Sequence, residues 1–142
     1  MLLGTGIDII DIERVERLYG LYGDKFSNKI LHKTEVAEME LIVKNNKNKI
    51  IFLAKRFAIK EAVVKAIGCG IGSYISFHDI IVVKNKLGAP MIKKNLIITS
   101  VVRKLHHVPS CEIYISVSDE KKHAIAIANL TTGKEHHAVD IN

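Results

Sequence analysis

The sequence predicts a single α+β domain, and three observations carry that class. The chain opens on an apolar run, residues 2–10, with Gly4 and Gly6 inside it, which reads as a strand with close backbone approach. Helix-period stretches fill the middle of the chain, the longest near 49–67. Near the end, residues 112–118 and 123–129 alternate in polarity around Asp119-Glu-Lys-Lys122, the pattern of two antiparallel strands. At 142 residues there is enough chain for one good core. The domain is expected over 1–130, and the polar tail 131–142 has little to bury.

Each element has a local cause. Asp11 is placed to cap a helix through about residue 22, with Ile12, Val15 and Leu18 on one face. Glu13, Arg14, Glu16 and Arg17 take the other face, and Gly23 stops the helix. Thr34 resembles the N-cap of an acidic helix near 35–45, and Asn45-Asn46-Lys47-Asn48 breaks the chain before the next one. The helix at 49–67 is apolar nearly all round, so it belongs inside the domain. On it, Glu61 and Lys65 lie only about 40° apart, and Ala54 and Ala58 share their sector, a small floor with room above it. Gly68-Cys-Gly70-Ile-Gly72 ends this helix. Residues 80–84 read as a short strand, Lys86-Leu-Gly88-Ala-Pro90 as a turn, and 95–105 as a helix.

Composition narrows the partners. A net charge of +6 favours an anion without saying which. Four Phe, four Tyr and no Trp, with no aromatic-rich motif, argue against nucleic-acid binding. No window is apolar enough to span a membrane, and the N-terminus reaches Asp8 too soon for a signal peptide, so a cytoplasmic protein is expected. Cys69 and Cys111 lack zinc-ligand spacing and read as reduced thiols. The adjacent pairs His106-His107 and His136-His137 diverge on any regular backbone and do not suggest a metal.

The residues that carry chemistry are Asp8, Glu61 and Lys65. Two hard oxygen ligands beside an ammonium suit a magnesium ion carrying a phosphorylated substrate. Taken alone, Glu61 and Lys65 are equally an i,i+4 surface ion pair, and Asp8 a strand-end acid. The three glycines at 68, 70 and 72 follow a helix, so they are no dinucleotide fingerprint.

Gly6-Ile-Asp8 with Arg14, then Arg56-Phe-Ala-Ile-Lys-Glu61-Ala-Val-Val-Lys65-Ala, resembles the holo-[acyl-carrier-protein] synthase family of bacterial 4′-phosphopantetheinyl transferases. Gly68-Cys-Gly70-Ile-Gly72, Phe77-His-Asp79-Ile and Gly88-Ala-Pro90 extend the likeness in order to about residue 130. The resemblance implies a small antiparallel sheet packed on a long central helix. It also implies transfer of phosphopantetheine from coenzyme A to a serine of apo acyl carrier protein, in support of fatty acid biosynthesis. By the same resemblance Asp8 and Glu61 would hold Mg²⁺, and Glu61 would draw the serine proton. Lys65 would neutralise the diphosphate or the leaving group. Arg56 would meet an adenosine-side phosphate, and Gly68, Gly70 and Pro90 would line the coenzyme A groove.

The resemblance further implies a homotrimer with the cofactor cleft between subunits. Arg14, Arg17, Lys25 and Lys29 would then face an acidic carrier-protein helix; the bland alternative is a solvated basic face. One departure stands out: where the family usually has Ser-x-Ser-His, this chain has Ser116-Val-Ser118-Asp119. An acid there would weaken phosphate binding or recruit a cation. Two rival readings follow, a coenzyme A-binding relative without turnover and a basic nucleic-acid-binding module.

Overall fold

The computed structural model describes residues 1–42 and 46–134. In chain order the elements are β1 (Leu2–Asp11), α1 (Ile12–Tyr22), α2 (Asp24–Ile30), α3 (Lys33–Glu40) and α4 (Asn46–Ile67). A 3-10 turn at Phe77–Asp79 follows, then β2 (Val82–Lys84), β3 (Pro90–Ile92), α5 (Leu96–His106), β4 (Cys111–Asp119) and β5 (His123–Thr132). The strands form an antiparallel three-stranded sheet in the order β1-β5-β4 and a separate β2-β3 hairpin. The expected α+β class, and the sheet laid on a long helix, are what the chain forms.

The sheet takes α4 on one face. Central strand β5 turns Ala124, Ala126, Ala128 and Leu130 inward, all buried. Small side chains there let the helix approach, and β1 does the same with glycines. A Cβ on Gly4 would overlap the carbonyl oxygen of Ala66, and one on Gly6 would overlap that of Ala62. Backbone therefore meets backbone. Leu53, Ile59, Val63 and Ile67 complete the inside of α4, each fully buried side chain contributing about 1.5–3 kcal/mol. Ala54 and Ala58 are also wholly buried, so the expected open floor beneath Glu61 and Lys65 is closed by protein.

Local signals fared unevenly. Asp11 caps α1 by accepting from the Glu13 amide at 2.9 Å, and Gly23 stops it at a φ of 54°. The cap of α3 is His32, not Thr34: the His32 ring accepts from the Thr34 amide, and Glu35 closes a capping box onto the His32 amide. This helix stops at Glu40, earlier than expected, and Asn46, Lys47 and Asn48 already belong to α4; Asn45 lies outside the described residues. The helix α2 was not anticipated. The expected tail begins too early, because Thr131 and Thr132 pair within β5; positions 135–142 lie outside the described residues. No helix among the described residues is long and apolar enough to cross a membrane.

Candidate active site

Asp8 and Glu61 are brought together by the glycine contact. With Gly6 and Gly4 seated on Ala62 and Ala66, β1 carries Asp8 past the same turn of α4 that carries Glu61. The two line one cleft of about 500 Å³ with Ile9, Ile10, Asp11, Arg14, Phe57 and His123. Burial pushes the Glu61 carboxyl above its usual range, and the negative charge of Asp8 adds to that, against a smaller opposing pull from Lys65. Two carboxylates face the same space with their charge only partly answered.

Lys65 answers part of it. Its ammonium donates to the Asp8 carboxylate at 3.1 Å and to the Ile7 carbonyl at 2.9 Å. The helical neighbour expected as its partner, Glu61, is thus left facing the cleft, while Lys65 ties α4 to β1. Half of the Lys65 side chain remains exposed.

A second groove of about 610 Å³ adjoins this cleft and shares Ile10, Arg14 and Phe57 with it. Its walls are apolar, with Leu18, Tyr22, Phe26, Ile30 and Phe77, and Arg14, Lys25 and Lys29 stand at it as cations. Arg17 is exposed on α1 but does not line the groove. Three of the four predicted partner-binding residues are therefore gathered around one apolar trough beside the carboxylates.

The remaining expectations divide. Gly68 and Gly70 are exposed just beyond α4, where Gly68 adopts a φ of 84° to end the helix. Pro90 opens β3 and lines a separate groove of about 600 Å³ with Asn85, Lys93, Lys94 and Tyr114. Within one chain, then, Pro90 does not share the cleft of Asp8 and Glu61. Arg56 corrects the sequence reading: it is buried, its guanidinium 3.1 Å from Glu38, 3.7 Å from Glu35 and 4.7 Å above the Phe52 ring. With two acids to answer, it is not free for a phosphate. Asp119 pairs with Lys55 at 3.0 Å.

Sequence reasoning missed His123 and Phe57. Hairpin register places His123 opposite Asp11, and its Nδ1 lies 3.1 Å from Glu120. The signal was available: the strand pairing carries position 123 to the same end of the sheet as Asp8 and Asp11. Phe57 stands one turn before Glu61 and stacks on Phe77 at 5.5 Å, forming the wall between the cleft and the groove.

The 4′-phosphopantetheinyl transferase superfamily model matches residues 4–128, and the chain belongs to that family. It is 36% identical to a holo-[acyl-carrier-protein] synthase of Vibrio parahaemolyticus, over 88% of this chain and 94% of that one. A Geobacillus protein of the same description is 39% identical over 89% and 93% of the two chains. Among solved structures, the holo-(acyl-carrier-protein) synthase of Bacillus anthracis in complex with CoA (3′,5′-ADP) superposes with a TM-score of 0.76 at 32% identity, covering 94% of this chain and 99% of that one.

Proposed function

We propose that the protein is a holo-[acyl-carrier-protein] synthase, moving 4′-phosphopantetheine from coenzyme A to a serine of apo acyl carrier protein. One observation carries the reading beyond family membership: an acidic cleft with a lysine opens directly beside a basic-rimmed apolar groove. The cleft suits a phosphate-rich donor and the groove an amphipathic, acidic acceptor helix.

The donor set fits Mg²⁺. Asp8 and Glu61 supply two oxygen ligands; burial first, and the Asp8 charge second, disfavour an ionised Glu61, and a divalent cation would offset both. An ion held by these two carboxylates would take its remaining positions from substrate phosphates and water. When bound, Mg²⁺ would shed the charge of the coenzyme A diphosphate.

In this reading the serine oxygen attacks the phosphorus on the pantetheine side, and the bond from that phosphorus to the bridging oxygen breaks. Glu61, which lines the cleft beside Asp8, accepts the serine proton. Lys65 offers its exposed ammonium to the adenosine 3′,5′-bisphosphate as negative charge gathers on the departing oxygen. Arg14, Lys25 and Lys29 steer the acidic carrier protein, with Arg17 adding to the field.

A homotrimer completes the cofactor site in this reading. The outer face of the sheet exposes Ile7, Ile9, Ile125, Ile127 and Tyr114, an apolar patch suited to another copy of the chain. Pro90 of one copy would then meet coenzyme A beside Gly68 and Gly70 of the next. The role belongs to fatty acid biosynthesis in the cytoplasm. The deciding experiment incubates the protein with coenzyme A, Mg²⁺ and apo carrier protein, and weighs the carrier protein. A phosphopantetheine mass gain is expected; an unchanged mass alongside tight coenzyme A binding would leave only a binding protein.

A further inference from the structure

Lys60 is fully buried, and so is its partner Glu35. The Lys60 ammonium spends all three donors: on Glu35 at 2.7 Å, on the Ile30 carbonyl at 2.7 Å and on the Phe77 carbonyl at 3.0 Å. These acceptors come from three separate places, the end of α2, the first turn of α3 and the 3-10 turn. Glu35 is held in turn by the His32 amide, with Arg56 close behind it. Burial pulls the Lys60 ammonium below its usual range, so the network carries a desolvation cost that an apolar residue would avoid.

What the network fixes is specific. Ile30 and Phe77 are two walls of the basic-rimmed groove, and Phe77 stacks on Phe57, the wall shared with the carboxylate cleft. Lys60 is also the immediate neighbour of Glu61. A single ammonium thus registers the seven-residue helix α2, which presents Lys25, Phe26 and Lys29, against the helix that presents Glu61. So short a helix has little stability of its own and takes its position from tertiary contacts.

The geometry points to Lys60 as a positioning residue that sets the carrier-protein groove at a fixed distance from Glu61, acting on acceptor docking and not on the donor. This rests on the docking reading above. It assigns to a buried lysine, which touches neither substrate, control over the carrier-protein KM.

The test uses two variants in the full chain. Lys60→Met leaves Glu35 buried with only Arg56 at 3.7 Å to answer its charge, and is expected to lower stability. The double variant Lys60→Met/Glu35→Met removes both charges and is expected to melt above Lys60→Met but below the parent, because Glu35 also closes the α3 capping box and faces Arg56. In the double variant, amides of 24–31 and 77–80 should exchange hydrogen faster, and the carrier-protein KM should rise roughly tenfold. Maximal turnover and the coenzyme A KM should stay near parental values. A folded double variant with a parental carrier KM overturns the proposal, as does loss of the fold in both variants. Arg14→Glu run in parallel separates the two ideas. A raised carrier KM there beside a parental value in the double variant sinks the positioning role alone. A parental value in Arg14→Glu sinks the docking reading, and this proposal with it.

Discussion

The Lys65 ammonium bonds Asp8 at 3.1 Å across the gap between α4 and β1, although Glu61 stands one turn before it on its own helix. The ion pair is half exposed on the lysine side, where such contacts contribute little to stability. Its value is in placement: the bond to the Ile7 carbonyl holds the same ammonium against Asp8, which lines the cleft.

Lys65→Ala should accordingly cost less than about 1 kcal/mol of stability, yet lower turnover by about 10²-fold. Coenzyme A affinity should fall by much less if the charge acts mainly as the leaving group forms. Equal losses in affinity with intact turnover would make Lys65 a ground-state phosphate clamp.

Glu61 gives a pH-dependent signature in metal-free protein. Its folded carboxyl is raised, so its ionisation opposes folding: its contribution is favourable below the ordinary value of 4.5 and is lost as pH rises through the folded value. Glu61→Gln should therefore melt above the parent at neutral pH, with the gap closing as pH falls toward 4.5. Adding Mg²⁺ should stabilise the parent and leave the variant nearly unmoved. Parallel melting curves across the whole range would show that Glu61 carries no such burden.

Gly6→Ala should destabilise by about 2–3 kcal/mol in urea titration, because the added methyl meets the rigid Ala62 carbonyl and pushes β1 off α4. Gly20→Ala is the control. It lies within α1 with open space at its Cβ position, and should stabilise by about 0.5–1 kcal/mol.

Arg14→Glu should raise the carrier-protein KM about tenfold at low salt while coenzyme A affinity holds. Raising ionic strength should narrow the difference, since exposed charges are screened within about 8–10 Å near 0.1–0.15 M. A salt-independent difference would point to lost packing in the groove instead of lost steering.

Ile127→Lys should reduce the assembled mass measured by sedimentation if a second copy covers the outer sheet face, where Ile127 lies opposite Ile7. Activity should fall with assembly if Pro90 is supplied by a neighbouring copy. An active monomer would return the whole cofactor site to one chain.

Short-range chemistry was legible in the sequence. Asp11 and Gly23 act on amides and carbonyls within a few residues, so their roles as cap and stop could be read directly; Asn95, taken only as the start of a helix, proves to be its N-cap. Thr34 lies within the first turn of α3 instead of before it, and donates its own amide to the His32 ring nitrogen, so His32 takes the capping role. The helix at 24–30 escaped notice because it is seven residues long and starts at once after a stop. Arg56 and Lys60 were illegible for a different reason. A helix that is apolar on every side gives no sign of which face each charge takes, and their hydrogen-bond partners lie 17 to 30 residues away. Asp8 and Glu61 stood out by their chemistry and then by motif likeness, and the packing of Gly4 and Gly6 explains why they share a cleft.

The strand β1 divides its positions by parity. Gly4, Gly6, Asp8 and Ile10 point toward α4, while Thr5, Ile7 and Ile9 are exposed on the other side. Inward positions are bound by geometry that tolerates no added atom at either glycine. Outward positions meet no such limit within the chain. Mutational tolerance along this segment should rise and fall with a two-residue rhythm, lowest at the two glycines and highest at Thr5 and Ile7, which neither press on the helix nor line the cleft.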